Sequence, residues 1–316
     1  MTVEIRDQRF VDVVGAGVEY ERLAGGFLFT EGPLWDSRQQ RLLFSDIPGN
    51  AIIRWSHAAG TRVVRAPSDM ANGLAWDPHG RLLCCEHATS RVTRIESDGS
   101  ITVIASAFEG MALNSPNDIV VKRDGGIYFT DPTYGRMEYY GVARSPVLAY
   151  RGVYRVEPDG ARITLLADDF GQPNGLCFSV DERRLFVNDT ERMHIRVFDV
   201  VADGTLRNGR IWAELAGDGA GAPDGMKIDS EGNLYCCGPG GIHVLDRFGA
   251  QLGVIRVPCP AANFTWGEED LKSLFITATD TLYRIRVQVP GQAWQVEPAS
   301  APAGSRIPMG NSAAQG

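Results

Sequence analysis

The sequence predicts an all-β fold: a six-bladed β-propeller with four-stranded antiparallel blades around a central metal-containing channel. Three observations predict it. Six strong β runs begin 40, 45, 58, 49 and 40 residues apart in a chain of 316 residues, the length of a four-stranded blade. Ten or eleven positions before every run stands a polar residue. No long amphipathic helical period breaks the series.

The runs are Leu42-Leu43-Phe44-Ser45-Asp46, Leu82-Leu83-Cys84-Cys85-Glu86, Ile127-Tyr128-Phe129-Thr130-Asp131, Leu185-Phe186-Val187-Asn188-Asp189, Leu234-Tyr235-Cys236-Cys237-Gly238 and Leu274-Phe275-Ile276-Thr277-Ala278. Each is followed by a second apolar stretch, such as Val153-Tyr154-Arg155-Val156 ahead of Asp159-Gly160, and Asp-Gly between strands signals a hairpin. Six such units close into a ring and leave few free sheet edges. The Trp35-Asp36 and Trp76-Asp77 dipeptides precede the hairpin turns rather than ending blades, which disfavours a seven-bladed WD-type ring. Residues near Tyr20 to Leu23 are expected to supply the strand that closes the ring with the last blade. A single domain is expected over 1–289, with 290–316 a partly disordered tail rich in Ala, Pro, Gly and Ser.

Composition narrows the classes. The 36 glycines and 17 prolines are scattered, as short strands and tight turns require. No run of 18 apolar residues occurs, which excludes a membrane-spanning helix. A net charge of −8 without a basic stretch argues against nucleic acid as a partner. The six cysteines form no CxxC and sit mostly inside apolar runs, as buried free thiols do. With no signal peptide at the N-terminus, these thiols predict a cytoplasmic location. A monomer or homodimer is expected.

The residues that head the blades carry the chemistry: Glu31, Asn72, Asn117, Asn174, Asp224 and Asn263. The first strand of each propeller blade lines the channel, so equivalent positions converge on one axis. Singly, Asn-Gly and Asp-Gly read as turns. Together, two carboxylates among four amides need a cation, and an oxygen-only donor set suits one hard divalent ion, Ca²⁺ first, with Mn²⁺, Mg²⁺ or Zn²⁺ as alternatives.

A second strand returns to the end where the first began. Asp46, Glu86, His87, Asp131 and Asp189 are therefore expected at the same mouth. His87 is read either as a substrate contact or proton carrier or as a strand cap; the remaining histidines read as turn or strand-surface residues. Asp131 opens a long excursion to Tyr150, read as a lid or as a plain surface loop; as a lid it would bring Tyr134, Tyr139 or Tyr140 near the substrate.

Glu31-Gly32-Pro33 with Trp35, Asn114-Ser115-Pro116-Asn117-Asp118, Phe129-Thr130-Asp131-Pro132, Pro173-Asn174-Gly175 and Pro223-Asp224-Gly225 resemble the senescence marker protein-30/gluconolactonase family over roughly residues 20 to 287. The run Cys85-Glu86-His87 with Arg91-Val92-Thr93-Arg94 is similar to its bacterial branch. The resemblance implies a six-bladed propeller with a catalytic divalent metal on Glu31, Asn174 and Asp224, and Asn117 as fourth ligand or substrate contact. It implies Asp224 as general base; the family also includes diisopropyl fluorophosphatase-like and drug-responsive lactonase members, so membership does not fix the substrate, and a small sugar lactone is the expected one. Some animal members have Arg where this chain has Ser115, which leaves the sugar open. In this reading Asn72, Asn117 and Asn263 orient the hydroxyl-rich ring, with His87, Asp131 and Tyr134 as further contacts. A phosphotriesterase on the same metal and a non-catalytic ligand-binding propeller are the alternatives. No Gly-x-Ser-x-Gly elbow or phosphate-binding loop supports other chemistry.

Overall fold

The computed structural model describes residues 2–293. The tail expected to be disordered lies, from residue 294 onward, outside the described residues. Six antiparallel blade sheets follow one another along the chain, with a separate two-stranded hairpin, Ala107–Phe108 with Met111–Ala112, between the second and third. The innermost strands are Thr30–Asp36, Ala71–Trp76, Ile119–Val121, Pro173–Phe178, Met226–Ile228 and Ala261–Gly267. Each contacts the next, and the sixth contacts the first, which closes the ring.

Ring closure uses the N-terminal segment twice. Glu21–Gly25 pairs with Thr281–Arg286 as the outer strand of blade six, with Glu21 opposite Arg284. This is the closing strand expected near Tyr20. Val3–Ile5 adds a fifth strand to blade five by pairing with Gln251–Ile255, so this blade departs from the four-stranded expectation. Between them the short helix Arg9–Val13 buries Phe10 and Val13. Among the described residues no helix is long and apolar enough to cross a membrane.

The core is six separate interfaces, because successive side chains of a strand face opposite sides of the sheet. Leu42 and Phe44 join the Phe275 and Leu282 cluster between blades six and one. Leu43, between them, joins Ala71, Trp76 and Cys84 between blades one and two. The cysteine pairs follow the same rule. Cys84 faces blade one, while Cys85 packs with Phe129 and Tyr154. Cys236 packs with Phe186 and Val197, while Cys237 packs with Phe264 and Trp266. All six thiols are free and five are buried, Cys259 being partly exposed.

Candidate active site

The inner strands do not enter the channel as regular ladders. Their pairing slips between Glu31 and Leu34, Ala71 and Leu74, Pro173 and Leu176, and Ala261 and Asn263. A bulge turns a side chain away from the sheet's alternation, and these four slips fall at or beside four of the blade-head residues. In blades three and five the ladder starts only at Ile119 and Met226, just past Asn117 and Asp224.

The glycines after the heads are not hairpin turns. Gly32 lies at φ +56° and faces the Asn72 carbonyl so closely that no Cβ would fit. Gly175 faces the Asp224 carbonyl in the same way. The turn reading of these dipeptides therefore gives way to close blade-to-blade approach. Blades one, three and four also steady the head of the next blade. Ser45 Oγ donates to the Asn72 carbonyl at 2.7 Å, Thr130 Oγ1 to that of Asn174 at 2.8 Å, and Asn188 Nδ2 to that of Asp224 at 2.5 Å.

A cavity of about 140 Å³ opens at this end of the channel. Glu31, Asn72, Asn117, Asn174 and Asp224 form its floor, with His87 and Tyr134 on the wall. Seven of the nine predicted site residues thus meet in one place. Asn263 and Asp131 do not line it, contrary to the expected substrate contacts. Asn263 lies one layer deeper: its Nδ2 donates to Glu31 Oε2 at 2.9 Å, and its Oδ1 accepts from Lys227 Nζ at 3.2 Å. Asp131 is fully buried and accepts the backbone N–H groups of Asn114 at 2.8 Å and Ser115 at 2.7 Å.

Asp131 belongs to a pattern. Asp46 accepts from the N–H groups of Leu28 and Phe29, and Asp189 from those of Gly171 and Gln172. In blades one, three and four, the carboxylate ending the second strand grips the backbone three and two residues before the blade head. These groups hold the floor in place instead of facing a substrate. Glu86 is spent on Arg65, Arg91, Thr89 and Thr93. His194 and His243, expected at turns or strand surfaces, are buried.

The floor is electrically strained. Burial and the nearby Asp118 charge push the Glu31 carboxyl up to about 7, against the Gly32 N–H, Asn263 and Lys227. Burial, Glu31 and Asp118 push Asp224 well above the carboxylate range, and Asn174 opposes this. Asp118 is itself raised by burial. One of its oxygens accepts from the Ile119 N–H at 2.9 Å, and the other has no partner. Three buried carboxylates against Lys227 leave excess negative charge, and the surrounding donors are oxygens. Among the described residues no group of three or more His, Cys, Asp or Glu could hold a metal. A fit must therefore draw on amide oxygens as well, and two carboxylates with the amides of Asn117 and Asn174 suit a hard divalent cation.

The excursion after Asp131 lies over this cavity. Tyr134 and Tyr140 line it, together with Phe29, Ile47 and Thr190, which the sequence reading missed. Arg136 Nε donates to the Asn114 carbonyl at 2.7 Å and Nη2 to that of Leu113 at 2.6 Å. Arg144 Nη2 donates to the His87 carbonyl at 2.7 Å, and the Tyr139 hydroxyl to that of Leu28 at 3.1 Å. The loop thus starts in blade three and is bonded to blades one and two. His87 is buried, and that burial pushes its pKa down to about 4, so the ring is neutral near pH 7.

Fold and site together define a six-bladed propeller with an oxygen-lined, loop-covered cavity at one end of its channel. The model of the SMP-30/Gluconolactonase/LRE-like region matches residues 29–280, and the chain belongs to this family. It is 32% identical over 304 residues to the gluconolactonase of Zymomonas mobilis, covering 88% of this chain and 84% of that one. The structure of XC5397 from Xanthomonas campestris, described as a gluconolactonase, superposes with a TM-score of 0.84 at 34% identity, covering 91% and 95% of the two chains. A calcium-binding regucalcin from Agrobacterium tumefaciens shares the fold, with a TM-score of 0.71 at 19% identity over 85% and 96% of the chains.

Proposed function

We propose that this protein hydrolyses small sugar lactones at the channel cavity. The observation that carries the reading is the meeting of Glu31, Asn117, Asn174 and Asp224 in one covered cavity, within a chain more than 30% identical to two gluconolactonases. A divalent cation held by these four residues, Ca²⁺ in the first instance, would supply Lewis acidity to the lactone carbonyl.

The chain's own residues do the rest. Asp224 lines the cavity beside Glu31, Asn117 and Asn174, and in this reading it is the general base. It takes a proton from the water that attacks the carbonyl carbon. It returns that proton to the ring oxygen as the C–O bond breaks and a hydroxy acid forms. Such a base is worth about 10²–10⁴-fold in rate. Neutral His87 is no proton donor to the leaving oxygen; Asn72 and Tyr134 present polar atoms to ring hydroxyls, and His87 stands behind Asn72. The Tyr134–Tyr140 cover reduces the bulk water around the reacting centre.

The test is hydrolysis of an aldonolactone panel and one phosphotriester by chelator-stripped protein with Ca²⁺, Mn²⁺, Mg²⁺ or Zn²⁺ restored, beside Asp224→Ala. Cation-dependent acid release from a lactone that disappears in the variant is expected. Folded protein that turns over only the phosphotriester, or nothing, overturns the proposal.

A further inference from the structure

Whether an asparagine shows a cavity its oxygen or its amino group depends on what holds the other end of the amide. At two blade heads a backbone carbonyl outside the floor settles the matter, because a carbonyl only accepts.

Thr190 follows the last residue of the second strand in blade four. Its Oγ1 lies 2.6 Å from the Pro223 carbonyl oxygen and 3.1 Å from Asn174 Nδ2. The one hydroxyl proton is committed to Pro223. Toward Asn174 the hydroxyl can then only accept, so Asn174 must offer its amino group to Thr190. Its Oδ1 is left for the cavity. The same hydroxyl ties the segment entering Asp224 to this arrangement.

His87 occupies the matching position in blade two, directly after Glu86. Its Nδ1 lies 2.7 Å from the Tyr140 carbonyl oxygen, so Nδ1 carries the hydrogen. The neutral ring then has an accepting Nε2, which lies 3.3 Å from Asn72 Nδ2. Asn72 must likewise give its amino group away and keep its oxygen for the cavity. Asn263 differs: both ends of its amide are used, by Glu31 on one side and by Lys227 and the Phe264 N–H on the other.

We propose that Thr190 and His87 are positioning residues that set the amide orientation of Asn174 and Asn72, so that both turn carbonyl oxygens into the cavity. With Glu31 and Asp224 held ionised by a cation, this makes four side chains facing the cavity hydrogen-bond acceptors. A floor of acceptors selects a cation and the hydroxyl protons of a polyol ring, and it repels an anionic group at the same place. The inference rests on the lactonase reading for what enters the cavity, but not for the orientation itself.

The experiment has two independent arms. Long-range ¹H–¹⁵N spectra of the wild-type histidines report the His87 tautomer: Nδ1–H with a bare Nε2 is expected, and an Nε2–H tautomer overturns the assignment for Asn72. Calorimetric titration with Mn²⁺ compares wild type, Thr190→Val and Thr190→Ser, each checked for the same circular dichroism and melting behaviour. Valine keeps the shape and removes the acceptor, and should weaken Mn²⁺ binding at least tenfold. Serine restores the hydroxyl and should bind within about threefold of wild type. A valine variant that binds as wild type does, or a serine variant as weak as valine, overturns the role of Thr190. Wild type that binds Mn²⁺ in this pattern yet opens no lactone leaves the orientation standing and removes the proposed function.

Discussion

Replacing Glu31 with Gln should stabilise the metal-free protein at alkaline pH, although Glu31 is a proposed ligand. Glu31 is 4% exposed, and its carboxyl is raised from 4.5 to about 7. A raised carboxyl means that the folded chain holds a proton the unfolded chain has lost. Stability therefore falls as pH rises from about 4.5 to about 7 and stays low above that. Keeping Glu31 ionised in the fold at pH 8 costs about 3 kcal/mol. Glutamine avoids this cost, and its Oε1 can still accept from the Gly32 N–H and Asn263 Nδ2, which now bond Glu31 Oε2. For a chain of this length about 3 kcal/mol is a melting shift of about 5 °C. Thermal unfolding in chelator should show the variant about 5 °C above wild type at pH 8, with little difference at pH 4.5. Added Ca²⁺ should reverse the order at pH 8, because an ion that binds only the folded wild type stabilises it by mass action. A variant less stable than wild type in chelator at both pH values, or a gap independent of pH, would refute the reasoning.

Three further outcomes follow from the geometry. Gly175→Ala forces a methyl group against the Asp224 carbonyl and should cost about 1–3 kcal/mol in denaturant titration, with lactone turnover lost along with the displaced Asp224. Asp131→Ala removes the acceptor for the Asn114 and Ser115 N–H groups; stability should fall by about 2–4 kcal/mol, and an unchanged unfolding midpoint would return Asp131 to the substrate side. Arg144→Ala frees the loop from the His87 carbonyl and Ser90. It should raise KM for a lactone more than it lowers kcat, and equal losses in both would argue that the loop acts on the chemical step instead.

The ring and its floor were legible in the sequence because both repeat. A blade is a local unit, so its length shows as the spacing between Leu42, Leu82, Ile127 and the later runs. The head residues keep an offset of ten or eleven positions from those runs, which is why Glu31, Asn72, Asn117, Asn174 and Asp224 could be picked out together. Asn263 obeys the same offset yet sits behind Glu31. Its role depends on which way a bulged strand end turns and on which neighbour, here Lys227, reaches it.

Where a fact depends on contacts between distant segments, the sequence was silent. The pairing of Val3–Ile5 with a strand some 250 residues later leaves no period to read. The Tyr139 contact with Leu28 and the Arg144 contact with His87 join three blades. The carboxylates that end the second strands are consumed there, Asp46, Asp131 and Asp189 by backbone N–H groups and Glu86 by Arg and Thr side chains. Sequence by itself determined the number of blades, through a repeated spacing, and the family, through short local motifs such as Pro173-Asn174-Gly175, and it offered the candidate oxygen donors. Tertiary structure alone decided which donors reach the cavity and which brace them from behind, because those depend on directed hydrogen bonds between neighbouring blades.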